Sequence, residues 1–213
     1  MGWSTLILDL ENQLQMVFRF VQIFSCVFLL IAFSGIAYGQ DKIEREYKIK
    51  RDSVPLKAQE FIYDSGFLEK KTKISWYREV GSEKETVEAK FKQNGNQYSI
   101  EFFMDGKLQD AEIQIHQNSL PRKSRQNIEA YLDEVFTKWR YQKKQRQWSG
   151  ENEAVLRALK EDNLIEGVTE RFELVISVNS KDEKGYFEFL FDVEGRFLSK
   201  AKIIQNSSDI LIY

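Results

Sequence analysis

One histidine, His116, and one cysteine, Cys26, are all that the 213 residues offer for imidazole or thiol chemistry. His116 lies among Gln114, Gln117 and Asn118 at the end of a polar strand, and no nucleophile elbow marks the sequence, so a solvated loop histidine is expected rather than a triad member. A His/Cys zinc site needs more such ligands than the chain holds. Carboxylates are plentiful. Glu88, Glu101, Asp110 and Glu112 share one parity on neighbouring predicted strands, so they could converge on one sheet face, where two carboxylates are the equipment of a glycosidase. The plainer reading makes them cross-strand partners of Lys73, Lys90 and Lys92. Asp105-Gly106 and Asp182-Glu183 lack the spacing of a calcium loop and read as turns. No catalytic residue, metal ligand or cofactor is assigned, and the expectation is a protein that is not an enzyme.

The run at 138–148, KWRYQKKQRQW, interleaves cations with aromatic rings, a composition able to meet nucleic acid, anionic lipid or sugar. It equally describes a strand with Trp139 and Tyr141 buried and Arg140, Gln142, Lys144 and Arg146 displayed. Glu151, Glu153, Glu161 and Asp162 follow closely and offset the charge. Across the chain 31 basic residues face 33 acidic ones. Such balance gives no global field to attract nucleic acid, and no nucleic-acid partner is expected.

The elements that would position these groups follow from apolar spacing. Residues 17–33 are almost wholly apolar, Arg19, three residues after Met16, supplies the expected positive charge, and Ala37-Tyr38-Gly39 resembles a signal peptidase site. Residues 1–39 are therefore read as a secretory signal cut before Gln40, with Met16 as a possible true start, and no stable membrane span is expected after removal. Taking away Arg19, Asp9 and Glu11 leaves 30 basic and 31 acidic residues, and 174 residues in all. Cys26 leaves with the signal, so no disulfide is available and the core alone must hold the fold.

Residues 40–53 read as a charged linker or a single extended stretch. At Val54-Pro55 a short helix begins, with Ala58, Phe61 and Ile62 on one face, ending near Gly66. Alternation then predicts four strands, carrying inward Ile74 and Trp76; Val87, Ala89 and Phe91; Tyr98, Ile100, Phe102 and Met104; and Ala111, Ile113 and Ile115. Asn94-Gly95 and Asp105-Gly106 mark tight reversals. A second copy opens at Leu120-Pro121 with Ile128, Leu132, Val135 and Phe136 at helical spacing, followed by a strand over 139–148. Val155, Leu156, Leu159 and Leu164 predict an inserted helix at about 151–164; strands resume around Phe172 to Val178 and Phe187 to Val193, turn at Glu194-Gly195, and end near Ile203. The tail at 210–213 is apolar enough to dock as an edge strand.

The predicted architecture is α+β: two tandem helix plus four-stranded antiparallel units, 54–119 and 120–213, forming one extended sheet with helices on one face. The opening Val54-Pro55 and Leu120-Pro121, the closing Asp105-Gly106-Lys107-Leu108 and Glu194-Gly195-Arg196-Phe197, and the intervening Phe172-Glu173-Leu174-Val175-Ile176 resemble the PepSY-like, β-lactamase-inhibitor-protein-like family of exported bacterial proteins. That resemblance covers residues 53–204 and implies tandem units in the periplasm or at the cell surface, with a binding role.

An exported, non-catalytic binding module is thus the expected function, engaging an envelope protein or polymer through an open sheet face. The candidate binding residues have off-core parity: Tyr77, Lys90, Glu101, Phe103, Glu112, Arg140, Lys144, Glu173, Glu188 and Leu190. Phe103 and Leu190 stand out as apolar anchors on a polar face. The alternatives are an inhibitor or regulator of an exported hydrolase, which only the resemblance suggests, and a weak hydrolase using the sheet-face carboxylates.

Overall fold

The computed structural model describes residues 40–42 (backbone only), 45–81, 84–116 and 119–204. The expected signal segment, Met16, Cys26 and the apolar tail lie outside them. In chain order the elements are β1 (Gln40–Lys42), β2 (Arg45–Ile49), α1 (Leu56–Tyr63), β3 (Ile74–Val80), β4 (Glu85–Gln93), β5 (Asn96–Phe103), β6 (Leu108–Gln114), α2 (Arg122–Val135), β7 (Trp139–Gly150), α3 (Asn152–Glu161), β8 (Val168–Asn179), β9 (Lys184–Asp192) and β10 (Phe197–Ile203).

One sheet holds all ten strands of the described residues, in the order β1-β10-β9-β8-β7-β6-β5-β4-β3-β2. From β2 to β10 each strand pairs antiparallel with the next in sequence, while β1 adds in parallel to the outer edge of β10. The turns use the residues that tolerate positive φ: Asn94 and Gly95 at +51° and +83°, and Gly106 and Gly195 both at +81°. Pro55 and Pro121 precede the two longer-range helices with φ near −54° and −52°, a conformation proline supplies without cost at a helix entry.

Two hydrophobic clusters lie on the helix side. In the first, Ala58, Phe61 and Ile62 of α1 meet Trp76, Val87, Ala89, Ile100 and Phe102. In the second, Ile128 and Leu132 of α2 and the following Phe136 meet Phe172, Leu174, Ile176, Phe187, Phe189 and Phe191. The inserted helix does not serve its own half. Val155, Ala158 and Leu159 of α3, together with Trp148, belong to the first cluster, and Lys160 Nζ donates to the Ser65 carbonyl at 2.6 Å.

The lead-in expected to be a linker is structural. β1 and β2 occupy opposite ends of the sheet order, yet only residues 43 and 44 separate them. Three peptide steps reach at most about 11 Å. Ten strands laid flat would hold their outer edges roughly 40 Å apart. The sheet is therefore rolled, and β1 and β2, so close in sequence, strap its two edges together. Polar-face residues are buried although all three helices pack on the other face, so the polar face turns inward and the helices lie on the outer side of the roll.

The expectation of a broad face open to solvent is overturned by this curvature. On the polar face Thr86 and Gln145 are only 1% and 2% exposed, and Glu88, Ser99, Asp110 and Glu173 are all buried.

Candidate functional site

The polar face is laid out by register. Glu88 of β4 stands directly opposite Glu101 of β5, and Glu101 opposite Asp110 of β6, so three carboxylates line up across adjacent strands. The neighbouring row runs Lys90, Ser99, Glu112, Gln147, Arg171 and Asp192 from β4 to β9. A third brings together Gln114, Gln145, Glu173 and Leu190. Like charges directly opposite one another destabilise a sheet, so the first row needs neutralising partners.

The partners are unevenly supplied. Glu88 accepts from Ser99 Oγ and pairs with Lys90 Nζ at 2.9 Å. Glu101 accepts from Thr86 Oγ1 at 2.6 Å and from Gln109 Nε2, with Lys84 Nζ 3.8 Å away. Among the described residues Asp110 receives two long bonds, from Gln109 Nε2 at 3.4 Å and Gln147 Nε2 at 3.5 Å. Burial, then the charges of Glu112 and Glu101, hold its carboxyl well above the usual carboxylate range. Glu112 accepts from Gln145 Nε2, and Gln147 Nε2 also donates to Glu173 at 3.1 Å.

At the β2 edge, Glu46, Glu79 and Glu88 bring carboxylate oxygens within 4.8 Å of one another, the spacing of a metal centre. Lys90 Nζ lies 2.8 Å from Glu46 and 2.9 Å from Glu88 and serves as the cation there. Burial opposes its charge, but Glu88 and Glu46 outweigh it and raise its pKa. The cluster is satisfied internally, and no metal is assigned.

The candidate binding residues fall in three places. Tyr77, Lys90, Glu101, Glu112, Glu173, Glu188 and Leu190 share the inner polar face. Phe103 sits at its end, where β5 enters the Asp105-Gly106 turn, and is 39% exposed; Met104, expected to be buried, is already in that turn, past the end of the strand, and is exposed; Arg140 is exposed at the far end of β7. Lys144 is on the opposite, helix-facing side, which corrects the expectation. A β-bulge leaves Gln142 unpaired between Tyr141, opposite Ile176, and Lys143, opposite Val175, so the alternation of β7 shifts by one from there on. Lys144 is therefore buried over the Tyr141 ring, 3.8 Å from its centroid, and burial lowers its pKa. Arg146 follows onto the same side, pairing with Glu170 at 2.6 Å and Asp162 at 2.8 Å. The same shift turns Gln145 and Gln147 inward, two residues that alternation alone placed on the wrong face. His116 is exposed, as its polar neighbours suggested.

Fold and site define a class: an α+β protein with one rolled, predominantly antiparallel sheet, outer helices and a carboxylate-lined inner face. No protein-family model matches the chain, and no curated protein matches it significantly. A solved structure from Bacteroides eggerthii DSM 20697, provisionally described as a periplasmic protein, aligns with TM-score 0.47 and 13% identity, covering 73% of this chain and 93% of that one. A likeness this distant transfers neither architecture nor activity. Among the described residues no helix is long and apolar enough to cross a membrane.

Proposed function

We propose that this chain is an exported, non-catalytic binding module of the PepSY-like kind, in which two tandem units build one sheet and the inner polar face receives an envelope protein or polymer. The observation that carries the reading is the Glu88, Glu101 and Asp110 row, in direct register, with Glu88 and Asp110 buried and Glu101 partly buried between them. Folding gains nothing from placing like charges opposite one another, and sequences depart from the locally stable choice chiefly where function requires it. The deciding experiment is affinity capture from an envelope extract with the protein and its Glu112→Gln, Glu173→Gln variant. A partner retained by the first and lost by the second supports the reading, and equal retention counts against it.

Export has its own test. N-terminal sequencing of protein released from the cell envelope is expected to begin at Gln40, which would make β1 the new N-terminus. An intact N-terminus retained in membranes would count against a cleaved signal.

The stability of an Asp110→Asn variant checks the strain. Because the folded carboxyl titrates above its unfolded value of about 3.9, its contribution favours the fold most below that pH and declines as pH rises through the folded value. At neutral pH the variant is expected to melt higher, by about 2–4 °C for each kcal/mol of relieved repulsion, and to lose that part of the pH slope. A lower melting temperature would show that Asp110 is a stabilising partner.

A second reading has one observation in its favour. Asp110, whose carboxyl is held above the usual carboxylate range by burial and then by Glu112 and Glu101, lies beside further carboxylates as a general acid lies beside its counter-carboxylate. Hydrolysis of an envelope polymer by the protein, abolished in Asp110→Asn, would favour that reading over binding alone.

A further inference from the structure

We propose that the segment at 205–213 folds back over the inner face of β8–β10 and covers an apolar tract there, with Ile210 to Tyr213 as the seated part. The seat follows from the described residues and the residue order; its competition with an outside partner rests on the inner face being the binding surface.

The tract is where the inner face stops being polar. By register Val175 stands opposite Glu188 and Glu188 opposite Ala201, while Leu190 meets Ser199 and Tyr186 meets Ile203. Val175, Tyr186, Leu190, Ala201 and Ile203 thus surround Glu188, which is itself engaged. Elsewhere on this face Glu88, Ser99, Asp110, Gln145 and Glu173 are buried, yet here Tyr186 is 38% exposed and the other four apolar residues are half-buried. Polar groups kept dry beside apolar groups left wet reverse what burial favours, and a contiguous apolar tract in that state marks a surface that something covers.

The occupant is set by what leaves β10. Gln205-Asn206-Ser207-Ser208-Asp209 is a run of polar residues of the kind that reverse a chain, and Ile210-Leu211-Ile212-Tyr213 is wholly apolar. Five residues reach at most about 17 Å, enough to turn back over the strand they leave. Four more extend about 13 Å, the distance from the Tyr186–Ile203 pair to the Leu190–Ser199 pair. The other sides of β10 suit a returning apolar segment poorly. One edge holds β9, and the other holds β1 at Ala201–Ile203. The helix side presents Lys200, whose Nζ lies over the Phe136 and Phe187 rings, and the exposed Lys202. The inner side is the one that offers apolar contact.

The test is the rate at which a small thiol reagent labels a cysteine at position 190, in the full chain and in a variant that stops at Ile204. Cys26 is the chain's single cysteine, so Leu190→Cys in a Cys26→Ser background reports one position. Removal of 205–213 is expected to speed labelling by at least about tenfold, the factor that burial of one aliphatic side chain commands. The peptide QNSSDILIY added to the truncated protein should restore the slow rate. Leu198→Cys, in the bulge at the start of β10, is exposed already and should label alike in both. Should Leu190→Cys fail to fold, Val175→Cys reads the same tract. Equal rates with and without the segment would overturn the proposal. Protection that fades on dilution would overturn it in favour of the same segment from a second copy. Truncation that speeds hydrogen exchange in β2 and leaves position 190 unchanged would overturn it in favour of pairing at the β2 edge. Capture from the envelope extract separates the seat from the function it bears on. A partner held more strongly by the truncated protein supports both; labelling relieved by truncation with no partner captured by either form leaves the seat standing and removes the binding function.

Discussion

Phe102→Ala and Phe189→Ala are each expected to lower stability by about 3–5 kcal/mol, because each removes a large ring that is fully buried. Phe102 lies against Phe61 of α1 with ring centroids 5.5 Å apart, edge to face, and against Trp76 at 6.3 Å. Phe189 makes the matching contacts in the other half, to Phe136 at 5.8 Å and Phe191 at 6.1 Å. The rings belong to separate clusters, so the two losses should add to within a few tenths of a kcal/mol in the double variant. Urea unfolding of the two single variants and the double variant measures this. Losses below about 1 kcal/mol at both sites would mean that the buried faces of β5 and β9 are misassigned.

Gly195→Ala is expected to cost about 2–5 kcal/mol, through two effects that a second glycine separates. At φ +81° any side chain is strained by roughly 1–2 kcal/mol. The larger difficulty is position: a Cβ on Gly195 would stand 2.4 Å from the Ser124 carbonyl oxygen of α2, and backbone cannot step aside as a side chain does. Overpacking of this kind adds about 1–3 kcal/mol. The contact is held from both sides, since Ser124 Oγ donates to the Val193 carbonyl and Asn127 Nδ2 to the Glu194 carbonyl, both at 2.6 Å. Gly95 has nearly the same φ, +83°, with nothing within 4 Å, so Gly95→Ala should show the strain alone. Equal losses at the two positions would remove the helix contact from the explanation. Gly106 repeats the arrangement in the first half, where a Cβ would meet Lys57 Cβ at 2.8 Å and Pro55 Cβ at 3.2 Å. The acidic-Gly turns thus recur after β5 and β9 because each abuts the first turns of a helix.

Much of this was legible in residue order. Strict alternation in Glu85–Gln93 and Lys184–Asp192 marks which side of each strand is buried, and Val87, Ala89, Phe91, Phe187, Phe189 and Phe191 are all in the core. Prolines before the helices, Asn94-Gly95 and the acidic-Gly turns mark where elements start and reverse, since each signal acts within a few residues on its own backbone. The carboxylates Glu88, Glu101, Asp110 and Glu112 could be assigned to one face for the same reason.

What the tertiary structure alone decided depends on neighbours distant in sequence. The bulge at Gln142 exists because β7 must match β8 on both sides of it, and nothing in the run KWRYQKKQRQW marks the unpaired residue, so Lys144 and Gln145 exchange faces unannounced. Leu156 and Leu159 give α3 an apolar side but not its destination, the cluster built by α1 and the first strands. Above all, a local pattern distinguishes a polar face from an apolar one, while its exposure depends on curvature. That curvature is the accumulated twist of ten strands, closed by a strap whose two pairings lie at opposite ends of the sheet.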